Sequence, residues 1–196
     1  MRRRGRSRLV LWSAVAGMLA IAGLLATSAS ATTARELSMA ELVEASDLVV
    51  VAEVLSLNSY RAEDGIIYTD TTVQIDEVLV GEVATKQVVI RQWGGTVGEA
   101  TLVIPGDAHL HKGEQVVLFL ADREPQNGVL FLTGLSQSKY EVVGSTTDGD
   151  TMLVQNLEGL VFYDATAPVP FYEKVPPSQT LSGLKAELQN IIGGAK

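Results

Sequence analysis

Apolar residues along this chain fall into three kinds of run. The first, Leu9 to Ala26, is long and almost unbroken. The second is short and dense. Leu48 to Leu57 contains Val49, Val50, Val51, Val54 and Leu55, and Glu114 to Leu120 is centred on Val116, Val117, Leu118 and Phe119. The Leu48–Leu57 run predicts a strand buried on much of both faces, and Glu114–Leu120 a further core strand. The third kind alternates. Between Ile67 and Leu79, Thr71, Val73 and Ile75 are set against Asp70, Thr72, Gln74 and Asp76, the period-2 pattern of a half-buried strand. The phase slips at Val78, three residues after Ile75. A β-bulge near Asp76-Glu77 is therefore expected, returning Val78 to the inner face and bending the strand.

Shorter strands are expected at Lys86–Trp93, Thr101–Ile104, Val129–Thr133, Lys139–Val143 and Thr151–Val154. Glu63-Asp64-Gly65 reads as a turn, Gly94, Gly95 and Gly98 as a flexible link, and Asp148-Gly149 as a type I′ hairpin turn. Two helices frame the strands. Ser38 and Glu41 form a capping box for a helix over Met39–Ala45. Thr180 caps a second, whose Leu181, Leu184, Leu188 and Ile191 fall on one stripe. Many short strands with glycine-rich turns predict a mainly β fold, a small OB-like β-barrel or a compact β-sandwich, with short N-terminal and C-terminal helices. The expected division is a barrel core over 38–145, a hairpin and proline-rich connector over 146–179, and the last helix over 180–193.

The first apolar run is of another character. Arg2, Arg3, Arg4, Arg6 and Arg8 precede it, and Ala29-Ser30-Ala31 follows. A basic start, an apolar centre and small residues at the exit make a secretory signal peptide over residues 1–31. The alternative is an uncleaved N-terminal anchor, since about 18 apolar residues sit at the lower edge of membrane-spanning length. Cleavage after Ala31 leaves 32–196 as a single β-rich domain in a secreted, periplasmic or cell-surface setting.

Removing the leader changes the charge. The remaining chain keeps ten basic residues (15 less five) against 23 acidic ones, a net charge of −13. Such a surface repels phosphate backbones and anionic lipid, so nucleic acid and membrane are not expected partners. There is no cysteine, so no disulfide framework holds the exported domain and stability rests on burial.

Three segments carry a resemblance. They are Ala45-Ser46-Asp47-Leu48-Val49-Val50-Val51-Ala52-Glu53-Val54; Val78-Leu79-Val80-Gly81 followed by Val89-Ile90-Arg91-Gln92-Trp93-Gly94-Gly95; and Gly113-Glu114-Gln115-Val116-Val117-Leu118-Phe119-Leu120. In this order they resemble a group of uncharacterised exported bacterial β-domains, over roughly residues 38–145. The first two strands also resemble the opening of an OB-like barrel of the netrin or metalloproteinase-inhibitor kind. That likeness implies a protease-inhibitor-like module. Those inhibitors hold the protease metal through a disulfide-tied N-terminal cysteine, which this chain lacks.

Two constellations could carry chemistry. Both histidines lie in Asp107-Ala108-His109-Leu110-His111. In an extended segment Asp107, His109 and His111 face one way and could converge on Zn²⁺, supporting a metal-assisted hydrolase. A structural zinc site needs a fourth ligand, and the bland alternative is an exposed polar loop. The second constellation is Arg91 and Trp93, two residues apart on one strand face. Exposed, they would suit contact with an exported protein, a peptide or a glycan. Buried, Trp93 would plug one end of the barrel with the Arg91 stem laid over it. Tyr60, Tyr68, Tyr140, Tyr163 and Tyr172 show no spacing that selects a binding strip. Gly134-Leu135-Ser136-Gln137-Ser138 lacks the last glycine of a nucleophile elbow, and neither H-E-x-x-H nor a phosphate loop occurs. The expectation is an exported non-catalytic binding module, with no cofactor unless the histidine pair takes zinc.

Overall fold

The computed structural model describes residues 31–125, 127–167, 169, 171–176 and 178–194. The leader reading, over residues 1–31, falls outside them except at Ala31. Within them the elements run β1 (Thr32–Ala34), α1 (Met39–Glu44), β2 (Leu48–Arg61), β3 (Ile67–Val80), β4 (Gln87–Trp93), β5 (Gly95–Val97), β6 (Ala100–Leu102), β7 (Gln115–Glu124), β8 (Val129–Leu132), β9 (Lys139–Ser145), β10 (Thr151–Val154), β11 (Leu160–Tyr163), β12 (Phe171–Tyr172), β13 (Gln179–Thr180) and α2 (Leu181–Gly194). The fold is mainly β, with short helices and a mixed sheet.

The principal sheet runs β13-β10-β9-β7-β2-β3-β4-β8, and β8 pairs again with β7. Its centre is β2 and β7, the two dense apolar runs, paired antiparallel from Leu48↔Leu120 to Glu53↔Gln115. Alternation sends their side chains into two cores. Val50, Ala52 and Val54 meet Val116, Leu118 and Leu120 on one side, with Val73 and Ile75 of β3 and Ile90 of β4. Val49, Val51, Val117 and Phe119 meet Leu42 of α1 and Leu184 and Leu188 of α2 on the other. Burying each such side chain contributes about 1.5–3 kcal/mol. The capping box at Ser38 forms as expected, and the Thr180 hydroxyl accepts from Gly183 N–H at 3.2 Å.

Asp76 is an unpaired bulge residue, because Val51 faces Glu77 and Ala52 faces Ile75. Its consequence differs from the expectation. Val78 stays exposed, and a further register shift before Val80 sends Leu79 and Val80 toward the helix-side core. The Gly94–Gly98 link is a hairpin: β5 pairs with β6 from Gly95↔Leu102 to Val97↔Ala100. Gly95 is required there, since at φ +126° a Cβ would fall 2.3 Å from Thr69 Oγ1 and 2.4 Å from Ser59 Oγ. The loop before β10 is not type I′, which needs two left-handed residues. Gly149 is left-handed, at φ +84°, and Asp148 is not. Gly149 N–H closes the turn on Thr146 C=O at 3.0 Å.

A second sheet, β1-β11-β12, was not legible beforehand. The proline-rich stretch, expected as an extended connector, contains β12. Tyr172 packs on Phe162 and Phe171 on Tyr163, with ring centroids 5.8 and 5.1 Å apart. β1 joins β11 in parallel.

Candidate functional site

The register of the hairpin β2–β3 places Tyr60 opposite Tyr68, and that of β3–β4 places Tyr68 opposite Trp93. Residues directly opposed in antiparallel strands share a face. The three rings therefore form one row across three strands. Ile90 of β4 points into the core, so Val89, Arg91 and Trp93 point out. Trp93 is 61 % exposed. This corrects the expectation that Trp93 plugs the barrel end beneath Arg91. It also corrects the view that no tyrosine spacing selects a strip. The signal was present: Tyr60 and Tyr68 are equidistant from Asp64, the centre of the expected turn.

One step along the strands lies a polar row, Asn58, Asp70 and Arg91. Arg91 donates to both Asp70 oxygens, from Nε and from an Nη at 2.8 Å each. Its guanidinium stands 5.6 Å from the Tyr60 ring centroid, and Tyr60 stacks on Tyr68 at 6.1 Å. Asp70 holds the guanidinium charge more firmly than usual. Burial and the Asp70 charge push the Tyr60 phenol up. The pair fixes the face and leaves it locally neutral.

Trp93 stands between two recesses. One, about 310 Å³, is walled by β4 and β8 and includes Arg91, Trp93, Asp107, Arg123 and Phe131. The other, about 150 Å³, includes Leu57, Trp93, Val103 and His109. A larger cleft of about 550 Å³ lies elsewhere, walled by Glu141, residues 154–160 and 173–176. It has no aromatic side chain and its walls are largely loop residues, so size alone does not make it the better site.

The metal constellation does not assemble. His109 and His111 are exposed, as their spacing requires, but Asp107 turns inward. Its Oδ1 accepts from Ala108 N–H at 2.9 Å, and burial pushes its carboxyl above the usual range. The segment belongs to no strand, so no ladder holds the three side chains on one face. Among the described residues no group of three or more His, Cys, Asp or Glu side chains could hold a metal ion. The Zn²⁺ and metal-hydrolase expectation on Asp107, His109 and His111 is thereby corrected.

Sequence reasoning missed a buried cation. The Lys139 side chain is 4 % exposed, and its Nζ lies 2.6 Å from Glu114 Oε1 and 3.0 Å from Glu141 Oε1, while donating to the His109 carbonyl. This cluster anchors the histidine segment to β7 and β9. Nothing in the spacing of these residues announces it. No family model, curated protein or solved structure matches this chain.

Proposed function

We propose that this protein is an exported, non-catalytic binding module whose contact face is the outer surface of β2–β3–β4, with Trp93 at its centre. The observation that carries this reading is the exposed row Tyr60–Tyr68–Trp93, backed by the fixed Asp70–Arg91 pair. Tyrosine, tryptophan and arginine dominate binding hot spots because they offer large, stiff contact area with a polar handle. Trp93, left uncovered beside two recesses, fits that use better than it fits packing.

The circuit of pairings supports an OB-like barrel. β7 joins β2, β2 joins β3, β3 joins β4, β4 joins β8 in parallel, and β8 returns to β7. OB-type barrels bind ligands on the face formed by their second and third strands, which here are β3 and β4. The basic-apolar-small leader supports export. Among the described residues no helix is long and apolar enough to cross a membrane.

Trp12 lies in the leader, so Trp93 is the sole tryptophan of the processed chain. The test uses immobilised protein to retain partners from envelope and culture fluid, with Trp93→Ala as control. Retention lost in the variant, with its far-UV spectrum unchanged, is the expected result. Equal retention by both proteins overturns the reading. Export is checked by N-terminal sequencing, which should begin at Thr32.

A further inference from the structure

β4 and β8 start side by side and then part. Their parallel register holds at Val89↔Val129 and Ile90↔Leu130 only. β8 is paired with β7 along its whole length, from Glu124↔Val129 through Ala121↔Phe131 to Leu120↔Leu132, and beyond Leu130 it keeps only that partner, while β4 stays with β3 as far as Tyr68↔Trp93. The 310 Å³ cleft lies between them, with Arg91, Gln92 and Trp93 on one wall and Phe131, Leu132 and Thr133 on the other.

Parity shows which main-chain groups face this cleft. Successive residues of an antiparallel strand turn their N–H and C=O alternately toward and away from the partner. Gly94 N–H donates to Ile67 C=O at 2.8 Å, so Ile90, Gln92 and Gly94 turn toward β3. Arg91 and Trp93 turn the other way. Thr133 N–H donates to Phe119 C=O at 3.1 Å, so Phe131 and Thr133 turn toward β7 and Leu132 turns toward β4. Had the parallel ladder continued, Leu132 would bond Arg91 C=O and Trp93 N–H. It stops short, and these groups face the cleft without a ladder partner, although Leu132 is buried. Main-chain donors and acceptors in such a place call for partners.

We propose that the β4 edge at Arg91–Trp93 accepts an extended peptide segment of a partner protein by strand addition, with an acidic residue of that segment beside Arg123. This rests on the Trp93 face being the contact surface. The open edge is three residues long, about 10 Å at the rise of a strand. Alternating main-chain donors and acceptors at strand spacing suit a polypeptide; a glycan has no matching repeat. Charge selects the side chain. Among the described residues Arg123 has no carboxylate within ion-pair distance, and it reaches only the Thr133 carbonyl, at 3.4 Å. Asp107 and Glu124 also line the cleft, but Asp107 accepts from Ala108 N–H and Glu124 from Asn127 Nδ2, at 2.9 and 2.6 Å, and neither pairs with Arg123, whose guanidinium is left to receive a carboxylate from outside.

The probe is a displayed library of random linear peptides selected on the protein, followed by synthesis of the winners. They should carry Asp or Glu. N-methylation at alternate residues should weaken binding about tenfold and at the intervening residues hardly at all. Bound peptide should also protect the Trp93 amide from hydrogen exchange. Arg123→Gln should weaken the acidic peptides about tenfold and leave their Asn or Gln counterparts unchanged. Absence of any selected peptide overturns strand addition, as does tolerance of N-methylation at every position. If Trp93→Ala still abolishes binding in that second case, the contact face stands and only the pairing mode falls. If chito-oligosaccharide quenches Trp93 while no peptide binds, the face is a glycan site.

Discussion

Arg91-x-Trp93 and His109-x-His111 present the same spacing, yet one pair belongs to a built face and the other to none. The difference is the ladder. β4 is held by β3 over seven residue pairs, Gln74↔Gln87 to Tyr68↔Trp93, and those pairs put Asp70 beside Arg91 and Tyr68 beside Trp93. Residues 107–111 have no such partner strand. Asp107 is half-buried and folds back on the Ala108 N–H, and the two histidines face solvent. Spacing of two residues defines a face only where pairing enforces extension and supplies neighbours on both sides.

The largest expected effect comes from the tether under the weaker segment. Lys139→Met leaves Glu114, whose side chain is largely buried, without its cation. Breaking a buried pair from one side costs about 3–5 kcal/mol. Urea denaturation should show that loss, with the backbone of 107–111 exchanging faster than in the wild type. A loss below about 1 kcal/mol would mean that the segment is held by its apolar residues, Ala108 and Leu110, and not by the lysine.

The Asp70–Arg91 pair tests the stronger side. It is bidentate and only partly screened, so Asp70→Asn should cost about 1 kcal/mol. It should also free the Arg91 guanidinium from its place over Tyr60. The near-ultraviolet tyrosine signal should change while the far-ultraviolet spectrum does not. An unchanged tyrosine signal would mean that the ring row holds itself together without the ion pair.

How far the sequence foretold this contrast depended on how local each cause was. The dense runs 48–57 and 114–120 revealed two core strands, and the first showed its burial on both faces, because a run of apolar residues needs no knowledge of the partner. The Asp76 bulge was visible as a phase slip. The aromatic row was half visible, since the Glu63-Asp64-Gly65 turn fixes Tyr60 against Tyr68, but Trp93 joins only through the second hairpin. The exposure of Trp93 was not legible, because an outward and an inward tryptophan leave the same trace in an isolated strand. The Lys139 cluster joins Glu114, just ahead of β7, with β9 and the histidine loop, and the small sheet joins β1 to a strand more than a hundred residues later. Both depend on long-range packing that no periodicity encodes.

A smaller effect sits at α1, where the cause is wholly local. The Ser38 N–H, the Arg35 guanidinium and the Ser38 hydroxyl all bond Glu41 and hold its carboxyl down at about 2, against an ordinary 4.5. A depressed acid contributes its stability above the unfolded value. That contribution should fade as pH falls from about 4.5 toward 2. Glu41→Gln should flatten this part of the stability profile, and Ser38→Ala should cost about 1 kcal/mol at neutral pH. An identical acid profile in wild type and Glu41→Gln would place the acid sensitivity elsewhere, the next candidate being Glu36, whose carboxyl Lys174 and Tyr172 also hold below its ordinary value.

The smallest expected effect decides whether the comparison is drawn correctly. His109 and His111 are exposed, and their hydrogen bonds to the rest of the fold run through the backbone. The His109 carbonyl accepts from Lys139, and the His111 N–H donates to Glu114 Oε2 at 3.0 Å. Both bonds survive truncation of the side chains. Replacing both histidines by alanine should therefore change stability by less than about 0.5 kcal/mol. Zn²⁺ should leave the melting temperature of wild type and double variant alike, because a ligand stabilises only in proportion to its binding to the folded state. A zinc-dependent rise seen in the wild type and lost in the variant would mean that the segment can bring its imidazoles together. The two spacings would then differ in partner, not in kind.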